Sequence, residues 1–162
     1  MGVAGSGKST LGKALAEQLD WKFLDADDFH PLENVAKMSA GIPLTDSDRT
    51  PWLDSLNRQL TSILAESHNP VLACSALKQE YRAQLMMGLN GIVVIYLKGS
   101  YELIRSRLLA RESHFMKETM LQSQFEALEE PEAAVVLNVS MPVDQMLETI
   151  FTKYPSLERS LK

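Results

Sequence analysis

Apolar residues along the chain follow two periodicities that take turns. Leu11, Ala14, Leu15 and Leu19 recur at three- and four-residue steps, which predicts a helix with one buried face, ending at Asp20. Trp21-Lys22-Phe23-Leu24 is short, aromatic and apolar, and predicts a strand running into Asp25. Residues 31–67 read as helical and polar, broken at Gly41-Ile42-Pro43 and at Thr50-Pro51. After the turn signal Asn69-Pro70, Val71-Leu72-Ala73-Cys74 predicts a buried strand, and residues 77–87 a helix stopped by Gly88. Gly91 opens the clearest strand, Ile92-Val93-Val94-Ile95-Tyr96-Leu97, followed by a helix over 101–111 that buries Ile104 and Leu108. Residues 112–130 are polar and methionine-containing, and predict a mobile segment leading into a helix through Leu121 and Phe125. A strand at 134–139 and a helix at 143–154 complete the pattern. Alternating strands and helices predict an α/β domain, and near-continuous apolar strands predict a parallel sheet covered on both faces.

Composition narrows the class. With 162 residues, 45% hydrophobic and 23% charged, the chain suits one domain over residues 1–162 with one real core. No repeat, low-complexity tract or interdomain linker interrupts it. Sixteen Lys+Arg against twenty-one Asp+Glu give a net charge of −5, which argues against a nucleic-acid-coating protein. A few clustered cations could still bind a small anion. The single cysteine, Cys74, excludes an internal disulfide and predicts a reducing compartment. No apolar run approaches the roughly 20 residues of a membrane span, and the start has no signal-peptide pattern. A soluble, cytoplasmic protein with no membrane or nucleic-acid partner is expected.

Specific chemistry begins at the first residues. Gly2-Val3-Ala4-Gly5-Ser6-Gly7-Lys8-Ser9 has the spacing of a phosphate-binding loop. Its glycines let backbone N–H groups wrap a polyphosphate at the positive end of the following helix. Lys8 would reach the β- and γ-phosphates of a nucleotide, the Ser9 hydroxyl would join the Mg²⁺ shell, and Thr10 could donate to the α-phosphate. Met1-Gly2 with Ser6 also spells a myristoylation signal. An acyl chain on Gly2 would conflict with the loop, so that overlap reads as coincidence.

The rest of the chain selects among phosphate-loop enzymes. Neither Asn-Lys-x-Asp nor Asp-x-x-Gly occurs, so a GTPase is not indicated. Carboxylates at a predicted strand end occur only at Asp25, Asp27 and Asp28. That position suits one Asp for the metal's water shell and another to take a proton from a substrate hydroxyl. The pattern therefore favours a small-molecule kinase. His30, Arg49, Lys78 and Arg82 lie near predicted element ends, where they could meet an anionic substrate. Lys78 and Arg82 stand four apart at a helix start and should share a face. Arg107 and Arg111 stand four apart before the polar segment, fit either to clamp nucleotide and phosphoryl group or to compensate the helix dipole. His68 and His114 have no partners at metal spacing, and Cys74 reads as a small core residue.

Several longer motifs resemble those of gluconokinases. They are the phosphate loop, Asp25-Ala26-Asp27-Asp28-Phe29-His30-Pro31, and Gly41-Ile42-Pro43-Leu44-Thr45-Asp46-Ser47-Asp48-Arg49 with Pro51-Trp52-Leu53. Cys74-Ser75-Ala76-Leu77-Lys78 with Tyr81-Arg82, His114-Phe115-Met116 and Gln124-Phe125-Glu126-Ala127-Leu128 follow in the same order, so the resemblance spans residues 1–131. It implies ATP-dependent phosphorylation of D-gluconate to 6-phosphogluconate. It also implies the architecture of shikimate and nucleoside-monophosphate kinases: a five-stranded parallel sheet, a substrate-binding helical segment near 29–67 and a lid near 112–120. By position, the resemblance implies that residues Gly2 to Thr10 hold ATP and Mg²⁺. Asp27 would be the base and Asp25 a metal-shell group, or the reverse. His30, Arg49, Lys78 and Arg82 would face gluconate, with Lys78 and Arg82 on its carboxylate. Arg107 and Arg111 would serve adenine and the transferred phosphoryl, with the 138–142 loop near the adenine. Similarity to bacterial relatives suggests a homodimer. A shikimate-like or nucleoside-like kinase is the alternative.

One feature departs from the pattern. A phosphate loop follows a strand, yet only Met1 precedes Gly2. The expectation is a domain lacking its first, central strand. Residues lost from the start, a start codon placed too late, or a natural short and catalytically impaired form would each produce it.

Overall fold

The computed structural model describes residues 1–110 and 118–158. Four short strands are present among them: β1 (Lys22–Asp25), β2 (Pro70–Ala73), β3 (Ile95–Lys98) and β4 (Val135–Asn138). Between them run α1 (Lys8–Leu19), a 3₁₀ turn (Ala26–Phe29), α2 (Leu32–Ser39), α3 (Asp46–Ala65), α4 (Gln79–Leu85), α5 (Tyr101–Leu109) and α6 (Glu118–Glu126). Helices α7 (Val143–Lys153) and α8 (Pro155–Glu158) end the described chain. The strands pair in two parallel couples, β1 with β2 (Lys22 opposite Pro70) and β3 with β4 (Ile95 opposite Val135). The α/β class and parallel pairing are as the alternation predicts.

Between the couples stands Met1. Its amino group donates to the Ile95 carbonyl, and its own carbonyl accepts the Leu97 N–H at 3.0 Å, the pattern of a parallel ladder. On the other side the Gly2 N–H reaches the Ser75 carbonyl at 3.3 Å. Met1 and Gly2 thus hold one position of a strand between β2 and β3. Behind them lies an apolar cavity of about 270 Å³, bordered by Val71, Leu72, Val93 and Ile95 among others. The expected run 92–97 is a strand only from Ile95 onward. Residues 92–94 flank the cavity, and among the described residues no ladder partner meets them on that side. Burial pushes the Met1 amine down to about 5, helped by the nearby Lys8 charge.

Side-chain alternation divides the core. Val71 packs with one buried cluster and its neighbour Leu72 with another, so the two lie on opposite faces of the β1–β2 pair. One cluster joins α1, α5, α6 and α7 through Leu11, Leu15, Ile104, Leu121 and Ile150. The other joins α3 and α4 through Trp52, Leu53, Leu56, Tyr81 and Leu85. Cys74 is buried in this second cluster, as expected of a core residue.

The predicted break at Thr50-Pro51 does not occur, since α3 runs through Pro51. Proline removes one helical donor and costs about 3 kcal/mol in a helix interior. A capping box offsets it: Thr45 Oγ1 accepts the Asp48 N–H at 3.2 Å, and Asp48 Oδ2 accepts the Thr45 N–H at 2.9 Å. Burial of Trp52, Leu53, Leu56, Leu60 and Ile63 along one face adds several kcal/mol more. Lys37 bonds Asp48 at 2.6 Å, and these donors hold the Asp48 carboxyl down at about 2. The box also anchors Asp48 beside the candidate site.

Candidate active site

The phosphate loop has the backbone its glycines permit. Gly7 caps α1 at φ 95°, and Gly5 at φ 80° lies so close to Leu108 that an added Cβ would sit 2.8 Å from its Cγ. Ala4, Gly5, Gly7, Lys8, Ser9 and Thr10 line a cleft of about 450 Å³, a size suited to a small ligand. Gly2, Val3 and Ser6 do not line it; Val3 and Ser6 are buried beneath the loop. Lys8 Nζ donates to the Val3 carbonyl at 3.1 Å, arching over the loop. Burial holds its pKa below the ordinary lysine value, with Asp27 and Asp25 opposing.

Two of the three carboxylates at the end of β1 line the cleft, and they have different surroundings. Asp25 accepts the Ser9 hydroxyl at 2.7 Å and the Asp27 N–H at 3.3 Å, so its oxygens are engaged at the loop. Asp27 projects into the cleft with its side chain 82% exposed. A hydroxyl and a carboxylate side by side are hard oxygen donors, which suits Mg²⁺. Among the described residues no three His, Cys, Asp or Glu side chains form a metal cage. A magnesium ion that takes most of its ligands from phosphates and water needs none.

His30 stands beside Asp27, its Nε2 4.0 Å from Asp27 Oδ1. Its ring stacks on Trp52 with centroids 4.2 Å apart, and the Trp52 indole N–H donates to the Ala26 carbonyl at 2.8 Å. Burial lowers the His30 pKa; the Asp27 charge opposes that shift and Arg49 adds to it. Asn34 on α2 is buried and reaches both His30 and the Asp48 carbonyl.

The far wall carries the cations. Lys78 Nζ bonds both oxygens of Asp46 at 2.8 Å, and the Tyr81 hydroxyl donates to the same carboxylate. These donors lower the Asp46 pKa and raise that of Lys78. Arg49 donates to the Leu44 carbonyl and lies over the Tyr81 ring, 5.4 Å from its centroid. Arg82 goes elsewhere. It is buried, does not line the cleft, and donates to the Ala76 and Leu77 carbonyls at 3.0 and 2.9 Å. The expected shared face of Lys78 and Arg82 fails because Lys78 caps α4 rather than lying within it, so the two side chains diverge.

The remaining expected residues divide by position. Arg107, in the last turn of α5, donates to the Val139 carbonyl at 2.7 Å and so is tied to the loop after β4. Arg111, His114 and most of the expected lid lie outside the described residues. Gln124 on α6 accepts the Ala4 N–H at 2.7 Å and lines the cleft, joining α6 to the phosphate loop. Asn34, Asp46, Trp52, Tyr81 and Gln124 are the residues that the sequence did not mark with a role. All but Asn34 stand in or beside quoted motifs, yet their partners are remote in the chain.

Comparison with known proteins agrees with this geometry. The family profile described as SKI: Shikimate kinase matches residues 4–151. A Mus musculus protein named "Probable gluconokinase" is 46% identical over 167 residues, covering 93% of this chain and 90% of that protein. The thermoresistant gluconokinase of Escherichia coli is 45% identical over 150 residues, covering 93% of this chain and 86% of that protein. The crystal structure of a gluconokinase from Sinorhizobium meliloti superposes with a TM-score of 0.85 at 39% identity, covering 99% of this chain and 92% of that one. The chain belongs to the gluconokinase family of P-loop kinases.

Proposed function

We propose that this protein transfers the γ-phosphoryl group of ATP to the 6-hydroxyl of D-gluconate, in the cytoplasm and with Mg²⁺. The observation that carries the reading is the division of labour at the end of β1. Asp25 is engaged by Ser9 at the phosphate loop, while Asp27 stands free in the cleft, across which lie Arg49 and Lys78. A polyphosphate on the loop and an anionic polyol against the cations would meet at Asp27.

In this reading the loop amides and Lys8 would hold the triphosphate, and Ser9 and Asp25 would hold Mg²⁺, which would supply charge neutralisation on the phosphates. Asp27 accepts the proton of the attacking hydroxyl, and positioning supplies most of the remaining rate. Arg49 is the cation best placed for the gluconate carboxylate, because Asp46 already neutralises Lys78. Arg107 and Arg111 serve the nucleotide side. Buried beneath the wall, Arg82 acts by holding the Ala76–Leu77 backbone in place rather than by touching substrate.

The reading is tested by ADP release with a panel of gluconate, other sugar acids, shikimate and nucleoside monophosphates. Gluconate is expected to be the best acceptor; preference for shikimate or a nucleotide would refute the assignment. Asp27→Asn is expected to lower kcat by about 10²–10⁴-fold with little change in KM for gluconate. Asp25→Asn should instead raise the Mg²⁺ concentration needed for half-maximal rate. A larger kcat loss in Asp25→Asn would exchange the two roles. Removing the carboxylate's partner in Arg49→Ala should raise KM for gluconate about 10–100-fold, since a charge-assisted hydrogen bond contributes about 1.5–3 kcal/mol. A KM unchanged in that variant would exclude Arg49 from the carboxylate.

A further inference from the structure

Asn34 is buried on α2, at a position with no assigned role, and its contacts leave little chemical freedom. Its Nδ2 lies 2.9 Å from the Asp48 carbonyl, which can only accept, so the amide nitrogen and not the oxygen must face that way. The same Nδ2 lies 3.5 Å from His30 Nδ1. A nitrogen that already carries two hydrogens cannot accept one, so His30 Nδ1 must be the acceptor. In a neutral imidazole the proton then resides on Nε2, the atom 4.0 Å from Asp27 Oδ1. We propose that Asn34 is a positioning residue that holds His30 as its Nε2–H tautomer, so that His30 and Asp27 together form a donor–acceptor pair shaped for one alcohol hydroxyl.

The separation supports this use. At 4.0 Å the pair is too far apart for a direct hydrogen bond. It is the span that one hydroxyl oxygen bridges when it accepts from His30 Nε2–H and donates to Asp27. The opposite tautomer would press Nδ1–H against the Asn34 NH₂ and present two acceptors to the substrate, which a single hydroxyl proton cannot satisfy. The ring itself is fixed by stacking on Trp52, and Asn34 is fixed through the capping box that anchors Asp48. The charged groups facing His30 are Asp27 from its own segment and Arg49 from α3. Their opposing effects, together with burial, leave the ring neutral near pH 7. The substrate part of this inference rests on the proposed gluconate kinase activity; the tautomer does not.

Nitrogen-15 spectra of histidine-labelled protein at pH 7.5, with His30 assigned by its absence in His30→Gln, read the tautomer directly. The unaltered protein is expected to show Nε2–H. An Nδ1–H or imidazolium pattern overturns the proposal, whatever the enzyme phosphorylates. Asn34→Ala is expected to give a mixture of tautomers and to lower kcat about 10–100-fold, with KM for ATP unchanged. Because Asn34→Ala also removes a buried contact, a second comparison separates chemistry from folding. His30→Gln keeps an N–H near the Nε2 position and should retain more kcat than His30→Asn, whose amide reaches only the Nδ1 position. Equal losses in those two variants would refute the hydroxyl pair. If no acceptor in the panel is phosphorylated, the activity reading fails while the spectrum still decides the tautomer.

Discussion

Lys8→Ala is expected to leave almost no gluconate-dependent ADP release, a loss of about 10³-fold or more in kcat, while the protein melts at or slightly above its original temperature. The two effects separate for a physical reason. Lys8 is held over the phosphate loop by one carbonyl, and burial holds its pKa below the usual lysine value. A desolvated ammonium with so little compensation contributes nothing to stability, and its removal can relieve the fold. The same desolvation would make it effective on a triphosphate, because no water screens the contact. Lys8→Arg should not rescue turnover, because the planar guanidinium is larger than the ammonium and cannot take the same arch. Turnover near the original rate in Lys8→Ala would show that the nucleotide binds elsewhere.

The second large effect concerns the apolar cavity between β2 and β3. A chain carrying about five apolar, β-branched residues ahead of Met1 is expected to be more stable than the 162-residue chain by several kcal/mol, or roughly 10 °C in melting temperature. The cavity between β2 and β3 holds about 270 Å³ and is bordered by apolar side chains and backbone edges. Ladder hydrogen bonds to both edges would add to the burial of the new side chains. Ordering five residues costs about 5–10 kcal/mol of backbone entropy, which burial of their side chains at about 1.5–3 kcal/mol each outweighs. The pH dependence should change as well. In the 162-residue chain the Met1 amine sits at about 5 when folded against 8.0 when unfolded. The unfolded chain therefore binds more protons between those values, and stability rises as pH increases from about 5 to 8. Extension converts the amine to an amide and should flatten that rise. Paired thermal melts at pH 5, 6.5 and 8 measure both effects. Equal melting of the two chains at every pH would mean that the added residues do not fill the cavity.

The phosphate loop was legible in the sequence because it depends on residues close together in the chain. Gly7, Lys8 and Ser9 stand on one turn of backbone, and the helix behind them is encoded by the adjacent apolar stripe. The same holds for the carboxylates at the end of β1, which a short aromatic and apolar run leading into Asp25 placed at a strand end. Arg82 was not legible. Its spacing from Lys78 satisfied a helix face, yet Lys78 is a cap, and a buried guanidinium must find acceptors wherever the fold supplies them, here the Ala76 and Leu77 carbonyls. Pro51 misled for a related reason: a local breaker signal was overridden by the capping box and by burial of the α3 face.

What the sequence determined by itself was the class of domain, the nucleotide loop, the acidic strand end and the family, all carried by short motifs and simple periodicity. Tertiary structure decided which groups face each other. It brought Asn34, Asp48 and Trp52 around His30, paired Asp46 with Lys78, and joined Gln124 to Ala4 across 120 residues of chain. Such contacts depend on how helices pack over the sheet. No spacing along the chain encodes a hydrogen bond between elements that meet only when the core closes.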